Sequence, residues 1–249
     1  MSQIFWGVGV RRSHNDVTLD VLFPFIQSCD ASEFAAIKEI AGLSDAKIES
    51  KSLTPDVLEQ LVEATDQNIT LATMLENFEW NDNIYASTDR IITVLHDFES
   101  AEVETTEDAY LRLQMLSQRF VQPHGVSLAN IFGKLPNNAW TNYGPVFADD
   151  LDELRIQTIG SIQPLSVSHI DKFPYMVNYH IPSGVRIANG AKVRLGAYLG
   201  EGTTIMQAGF VNFNAGTEGN AMIEGRVSAG VFVAKDSDVG GGASIMGTL

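Results

Sequence analysis

From Ile181 onward an aliphatic or small residue returns at every sixth position, in the series Ile181, Ile187, Val193, Leu199, Ile205, Val211, Thr217, Ile223 and Ala229. Three residues after each stand Gly184, Gly190, Gly196, Gly202, Ala208, Asn214, Asn220, Arg226 and Phe232. Six of these nine are Gly or Asn, the residue types that reach positive φ at least cost. Four residues after each come Val185, Ala191, Ala197, Thr203, Gly209, Ala215, Ala221, Val227 and Val233, mostly small and none charged. A period of six fits neither a helix nor a free strand. It describes short strands joined by tight corners and coiled so that equivalent residues stack. Three units close one triangular coil: the aliphatic residue points inward, the small one sits where the prism tapers, and Gly or Asn turns the corner. A sandwich would instead repeat its turn signals about every 8–12 residues.

This is the hexapeptide pattern of left-handed parallel β-helices, and the 69 residues from Ile181 to Leu249 make just under four coils. The rhythm breaks once. After Ala229 the next inward position would be Lys235, and the phase returns at Val239 and Ile245, which predicts a loop or shortened side at Lys235 to Asp238. The run then stops at Gly247-Thr248-Leu249 with no helix, charged segment or Pro to cover the last strand. Repeat arrays carry caps, because an open edge invites aggregation, and the reading is of a C-terminally truncated form of a longer protein.

Upstream the periodicity changes. Helical spacing predicts helices over Ala31 to Ile40, Pro55 to Phe78 and Thr106 to Phe120, and alternation predicts strands at Ile4–Val10, Val17–Phe23 and Arg90–Leu95. The expected fold class is an α+β N-terminal domain followed by a left-handed parallel β-helix. Its divisions are a helix-rich N-terminal domain over 1–145, a connecting segment over 146–180 and the β-helix over 181–249. Gly133 to Val177 reads as connecting strands and turns, with the acidic run Asp149, Asp150, Asp152 and Glu153 as a solvated turn rather than a metal site.

Composition narrows the function classes. A formal charge of −15 argues against nucleic acid or an anionic membrane as partner, since either needs clustered Lys and Arg. One cysteine, Cys29, makes no internal disulfide and fits a reducing compartment. The first residues lack the pattern of a secretory signal and no run approaches the ~18 apolar residues of a membrane span. A cytoplasmic location is expected.

A β-helix can carry acyl transfer with a His base, or hydration chemistry with three His on zinc. All five histidines, His14, His96, His124, His169 and His180, precede the repeats, so both schemes lose support. The carboxylates within the repeats are Glu201, Glu218, Glu224, Asp236 and Asp238. Glu224 stands out in Ile223-Glu224-Gly225-Arg226, where Arg226 is expected at a corner that elsewhere favours Gly or Asn. Residues that break a local rule are candidates for function. The competing reading is a surface ion pair of Glu224 with Arg226.

Several runs carry a family resemblance: Val193 to Leu199, Glu201 to Thr204, Gly209 to Thr217, Met222 to Gly230 and Asp238 to Leu249. They closely resemble the tetrahydrodipicolinate N-succinyltransferases, in the branch found in actinobacteria and pseudomonads. The match is strong over roughly 170–249 and weaker upstream. The resemblance implies transfer of a succinyl group from succinyl-CoA, a co-substrate rather than a bound cofactor, to the amino group of ring-opened tetrahydrodipicolinate, an amino-ketopimelate-type dicarboxylate in lysine and diaminopimelate synthesis. It implies a homotrimer with sites between subunits. By motif match Glu224 takes the catalytic carboxylate position, as general base or as carrier of an acyl anhydride. Arg226, Gly241 and Ser244 match positions that contact the acyl donor. Relatives also hold Mg2+ on the trimer axis through two acidic side chains; Ala191 and Ala208 stand at the matching positions, and no metal site is expected. Two other readings stay open, a β-helix acyltransferase with another acceptor and a non-enzymatic trimeric scaffold.

Overall fold

The computed structural model describes residues 3–79 and 83–248. They form two compact units, one of residues 1–111 with 129–172 and one of residues 112–128 with 173–249; Leu249, the last residue of the matched runs, lies outside the described residues.

In the first unit, strands β1 (Ile4–His14), β2 (Val17–Cys29), β3 (Ile48–Ser52) and β4 (Ser87–Leu95) make an antiparallel sheet in the order β2-β1-β4-β3. Helices α1 (Ala31–Ala41), α2 (Pro55–Ala64) and α3 (Ile69–Glu76) share a core with it, built on Trp6, Val8, Phe25, Phe34, Leu58, Leu61, Leu71 and Ile92. The strands run longer than apolar alternation predicts. The reason lies in Arg11 and Arg12, polar residues that β1 accommodates because Arg11 pairs with Asp89 at 2.8 Å and Glu107 at 3.2 Å while Arg12 pairs with the fully buried Asp20 at 2.5 Å. Strand β3, Ile-Glu-Ser-Lys-Ser at the sheet edge, carries no apolar run and was not expected. The single helix expected over Pro55 to Phe78 is two. Asp66 and Gln67 adopt φ of 53° and 59°, and the Asn68 side chain accepts from the Thr70 and Leu71 N–H groups to start α3; local capping overrides a continuous apolar period.

Helix α4 (Thr106–Ser117) opens in the first unit and closes in the second, and α5 (Ile131–Lys134) follows it. A small antiparallel sheet of β5 (Asn138–Thr141), β6 (Gly144–Phe147) and β7 (Val167–Asp171), in the order β6-β5-β7, then packs on helix α6 (Leu151–Thr158) through Ala139, Val146, Leu151 and Leu154. The acidic run is therefore the start of a helix rather than a turn. Asp149 and Asp150 lie in the 3-10 turn before α6, and Asp152 and Glu153 lie in its first turn, where carboxylates complement the helix dipole.

The second unit is a left-handed parallel β-helix. Its strands are β8 (Arg186–Ile187), β9 (Ala197–Leu199), β10 (Thr203–Ile205), β11 (Phe210–Val211), β12 (Ala215–Thr217), β13 (Ala221–Ile223), β14 (Arg226–Val227), β15 (Phe232–Val233), β16 (Ser237–Val239) and β17 (Ser244–Ile245). They form three parallel sheets, β16-β13-β10-β8, β11-β14-β17 and β15-β12-β9. Three inward columns fill the prism: Ile187, Ile205, Ile223 and Val239; Val193, Val211, Val227 and Ile245; Leu199, Thr217 and Val233. Val193, Leu199, Ile205, Val211, Thr217, Ile223 and Val227 are wholly shielded from solvent. Thr217 is tolerated inside because its hydroxyl lies 2.7 Å from that of Thr203. Ile181, by contrast, is 65% exposed, so the stacked series starts at Ile187.

The break in the rhythm lies elsewhere than Lys235 to Asp238. Partners are eighteen residues apart in Ile205–Ile223, Leu199–Thr217 and Val227–Ile245, but sixteen apart in Val211–Val227, Thr217–Val233 and Ile223–Val239. Every sixteen-residue interval spans Glu224-Gly225-Arg226, and from Val227 the six-residue period continues undisturbed. Both phases carry apolar residues here, and the larger Val227 and Val233 displace Ala229 from the interior. The positive-φ corners follow, at Asn214 before the break and at Gly230, Asp236 and Gly242 after it. Arg226 and Phe232, expected at corners, are strand residues without positive φ.

Within this unit the segment 112–128 is tied to the coils by polar contacts. Arg119 donates from Nε to the Leu199 carbonyl at 2.6 Å and from Nη2 to that of Ser183 at 2.9 Å, and the His124 N–H donates to Asn214 Oδ1 at 2.9 Å. The His124 ring Nε2 lies 2.9 Å from the Gly230 carbonyl oxygen. Among the described residues no helix is long and apolar enough to cross a membrane.

Candidate functional site

The shortened corner builds the site. Strand β13 ends at Ile223, and the Glu224 and Gly225 N–H groups both donate to the Val239 carbonyl of the next coil, at 2.8 and 3.0 Å. That double bond draws the chain inward two residues early. A Cβ on Gly225 would stand 2.5 Å from the Ala243 oxygen and 2.7 Å from the Gly240 oxygen, so only glycine passes between these carbonyls. Arg226 then starts β14, its N–H donating to Ala243 at 2.9 Å.

The four residues singled out by sequence meet on two successive coils. A Cβ added to Gly241 would lie 3.3 Å from Glu224 Oε2, which places the Glu224 carboxylate against the Gly240-Gly241-Gly242 turn. Ser244 lies directly across from Arg226 in the parallel ladder, as Phe210 does on the other side. Glu224 is half-buried while Arg226, Gly241 and Ser244 are exposed. Among the described residues no ion pair or hydrogen bond engages the Glu224 carboxylate, so the surface ion pair with Arg226 is not formed. Of the other repeat carboxylates, Glu218 accepts from the Lys235 N–H at 3.1 Å and Asp238 from the Met222 N–H at 2.9 Å, while Glu201, like Glu224, is engaged by no hydrogen bond or ion pair among the described residues. On the face that ends at Glu224 runs an open groove of about 560 Å³, lined by Arg186, Thr204, Met206, Met222 and Asp238.

A half-buried carboxylate without a partner can accept a proton or attack an activated acyl carbon. A guanidinium beside it can receive a carboxylate in two-pronged fashion, and a glycine turn lets backbone approach a ligand. Ala191 and Ala208 carry no metal-binding group, and among the described residues no three His, Cys, Asp or Glu side chains gather as a metal site.

Reasoning from sequence passed over Phe210, whose ring centroid lies 5.9 Å from Arg226 Cζ and 6.0 Å from Arg194 Cζ. The signal was present in the spacing. Phe210, Arg226 and Ser244 each precede an inward residue, Val211, Val227 and Ile245, and line up once the break is placed at Glu224.

A 151-residue stretch, 61% of the chain, is 62% identical to the 2,3,4,5-tetrahydropyridine-2,6-dicarboxylate N-succinyltransferase of Pseudomonas putida. Over this stretch the chain is similar to tetrahydrodipicolinate N-succinyltransferases. The enzyme of the same name from Vibrio cholerae is 55% identical over 146 residues. The aligned stretches span 44% and 43% of these two relatives, so the chain covers less than half of their length. The family model for the middle region of tetrahydrodipicolinate N-succinyltransferase matches residues 135–175. A solved structure from Campylobacter jejuni, provisionally assigned as a 2,3,4,5-tetrahydropyridine-2-carboxylate N-succinyltransferase, superposes with a TM-score of 0.83 at 29% identity, over 98% of this chain and 67% of that one. The likeness to that structure thus takes in residues of both units, whereas the family model covers only the small sheet, α6 and the lead into the coils.

Proposed function

We propose that the protein transfers the succinyl group of succinyl-CoA to the amino group of ring-opened tetrahydrodipicolinate. The observation that carries this reading is the unpartnered Glu224 carboxylate, held by the shortened corner against Gly241 and followed two residues later by Arg226. In this reading the amine nitrogen attacks the thioester carbonyl, a C–N bond forms, the C–S bond breaks, and Glu224 takes the proton that the nitrogen loses. Arg226 and Ser244 hold the donor, and the Gly241 turn gives it a close backbone approach. A homotrimer with the site completed by a neighbouring copy fits the outward position of every one of these residues. A cytoplasmic location fits the single thiol, Cys29, which burial and the nearby Glu33 and Asp30 push up to about 11.

The test is release of free CoA from succinyl-CoA, followed with a thiol reagent, in the presence and absence of L-2-amino-6-oxopimelate. Acceptor-dependent release is the expected result. Release with serine or an amino sugar in place of the dicarboxylate would replace this acceptor, and no release with any of them would leave the scaffold reading in its stead. Mass spectrometry of the protein with donor alone separates the two roles of Glu224, since an anhydride would add a succinyl group to the chain.

A further inference from the structure

The side chain at the exposed end of the site is the end of a ladder. In the second unit Phe213 stacks on Phe173 at 4.1 Å between centroids and 4° between planes. Arg194 Cζ lies 5.6 Å from the Phe173 centroid and 6.0 Å from that of Phe210, and Arg226 Cζ lies 5.9 Å from Phe210. Ring and guanidinium alternate from the buried Phe213 and Phe173 to the exposed Arg226. Arg194 is anchored further by a 3.2 Å hydrogen bond from Nη1 to Asn212 Oδ1, whereas Phe210 is the one side chain that the contacts above place against Arg226.

We infer that Phe210 is a positioning residue that fixes the Arg226 guanidinium for the free carboxylate of a dicarboxylic acyl donor, and so selects succinyl over acetyl. A flexible arginine loses rotamer freedom on binding an anion, and a ring already beneath it removes part of that cost. Two guanidinium groups on one phenyl ring also lie within about 12 Å of each other by the two distances to its centroid. Their repulsion falls when an anion sits beside them. In a chain of net charge −15, this local pair of cations is where an anionic acyl tail is drawn. An acetyl group carries no carboxylate and gains nothing there.

The inference rests on the succinyl-transfer reading, and the experiment separates the two. Phe210→Leu keeps apolar bulk and removes the ring, while Phe210→Trp keeps a ring. With succinyl-CoA, Phe210→Leu is expected to raise KM about three- to five-fold at unchanged kcat, a cation–π contact at an exposed site having this size, and Phe210→Trp is expected to restore it. With acetyl-CoA neither variant should move KM. Equal KM for the Leu and Trp variants, or an equal loss with acetyl-CoA, overturns the assignment. A second measurement needs no turnover. The Arg226 Nε–H resonance, shifted by the ring current of Phe210 and assigned by its loss in Arg226→Lys, should move toward its random-coil position in Phe210→Leu. A resonance that stays put overturns the contact itself, whereas a wild-type protein inactive with succinyl-CoA but showing the shift overturns only the functional reading.

Discussion

Glu224 is the residue that the proposed function makes the general base, and its surroundings make a clean substitution possible. Its side chain has no partner among the described residues and stands outside the inward columns, so Glu224→Gln removes basicity while leaving the packing alone. General-base losses run about 10²–10⁴-fold, and kcat is expected to fall by that much with an unchanged melting temperature; near-normal turnover would move the role to Glu201. The neighbouring glycine behaves oppositely. Gly225 is confined by the Ala243 and Gly240 carbonyls at 2.5 and 2.7 Å from a would-be Cβ, and a carbonyl of the main chain cannot swing aside as a side chain does. Gly225→Ala should therefore cost about 1–3 kcal/mol by overpacking and open the Val239 hydrogen bonds of Glu224 and Gly225. Faster amide exchange at these two positions checks it. Exchange equal to the wild type would show that the corner has slack.

At the scale of the element, the sixteen-residue coil sets the edge that carries Glu224 apart from the rest of the prism. Two residues inserted between Gly225 and Arg226 would restore an eighteen-residue coil. The inward columns would still stack, because Val227 and its successors keep their mutual spacing, but Glu224 would shift relative to Gly241. The insertion is expected to retain the far-ultraviolet circular dichroism of the native protein and to abolish acceptor-dependent CoA release; an active insertion variant would show that the shortened corner is incidental. The period of six made the β-helix legible from sequence, because each inward residue recurs with a corner residue three places on. The place of the break was not legible. Val227, Ala229 and Val233 all satisfy an apolar template, and only the competition for interior volume decides among them. The same limit hid the break between α2 and α3, where Asn68 caps one helix inside a continuous apolar rhythm, and β3, whose polar sequence is held in the sheet by β4 rather than by any pattern of its own. Glu224, Arg226, Gly241 and Ser244 were proposed as a set through the family resemblance, while the alignment of Phe210 with Arg226 and Ser244 needed the register.

For the molecule as a whole, the outward columns decide what the coils can do together. The open groove along Arg186, Thr204, Met222 and Asp238 mixes apolar, cationic and anionic side chains on one face, a composition suited to a partner surface as well as to a ligand. Met222, an outward residue, is 40% exposed, and an apolar residue left open on a flat parallel sheet is stabilised when a second copy covers it. A prism of three faces meets its copies most simply around a closed threefold axis, where each contact is the same heterologous pair repeated until the ring is complete. The groove beside Glu224 would then have a wall from the next copy. A homotrimer is accordingly expected, with three times the 27.2 kDa of one chain, in light scattering at micromolar concentration. Met222→Asp, at an outward position of this face, should shift the protein toward monomer because a contact between copies would bury an unpaired carboxylate, and acceptor-dependent CoA release should fall with the trimer fraction. A monomer that keeps full activity would show that each chain completes its own site, and the shared wall would have to be given up.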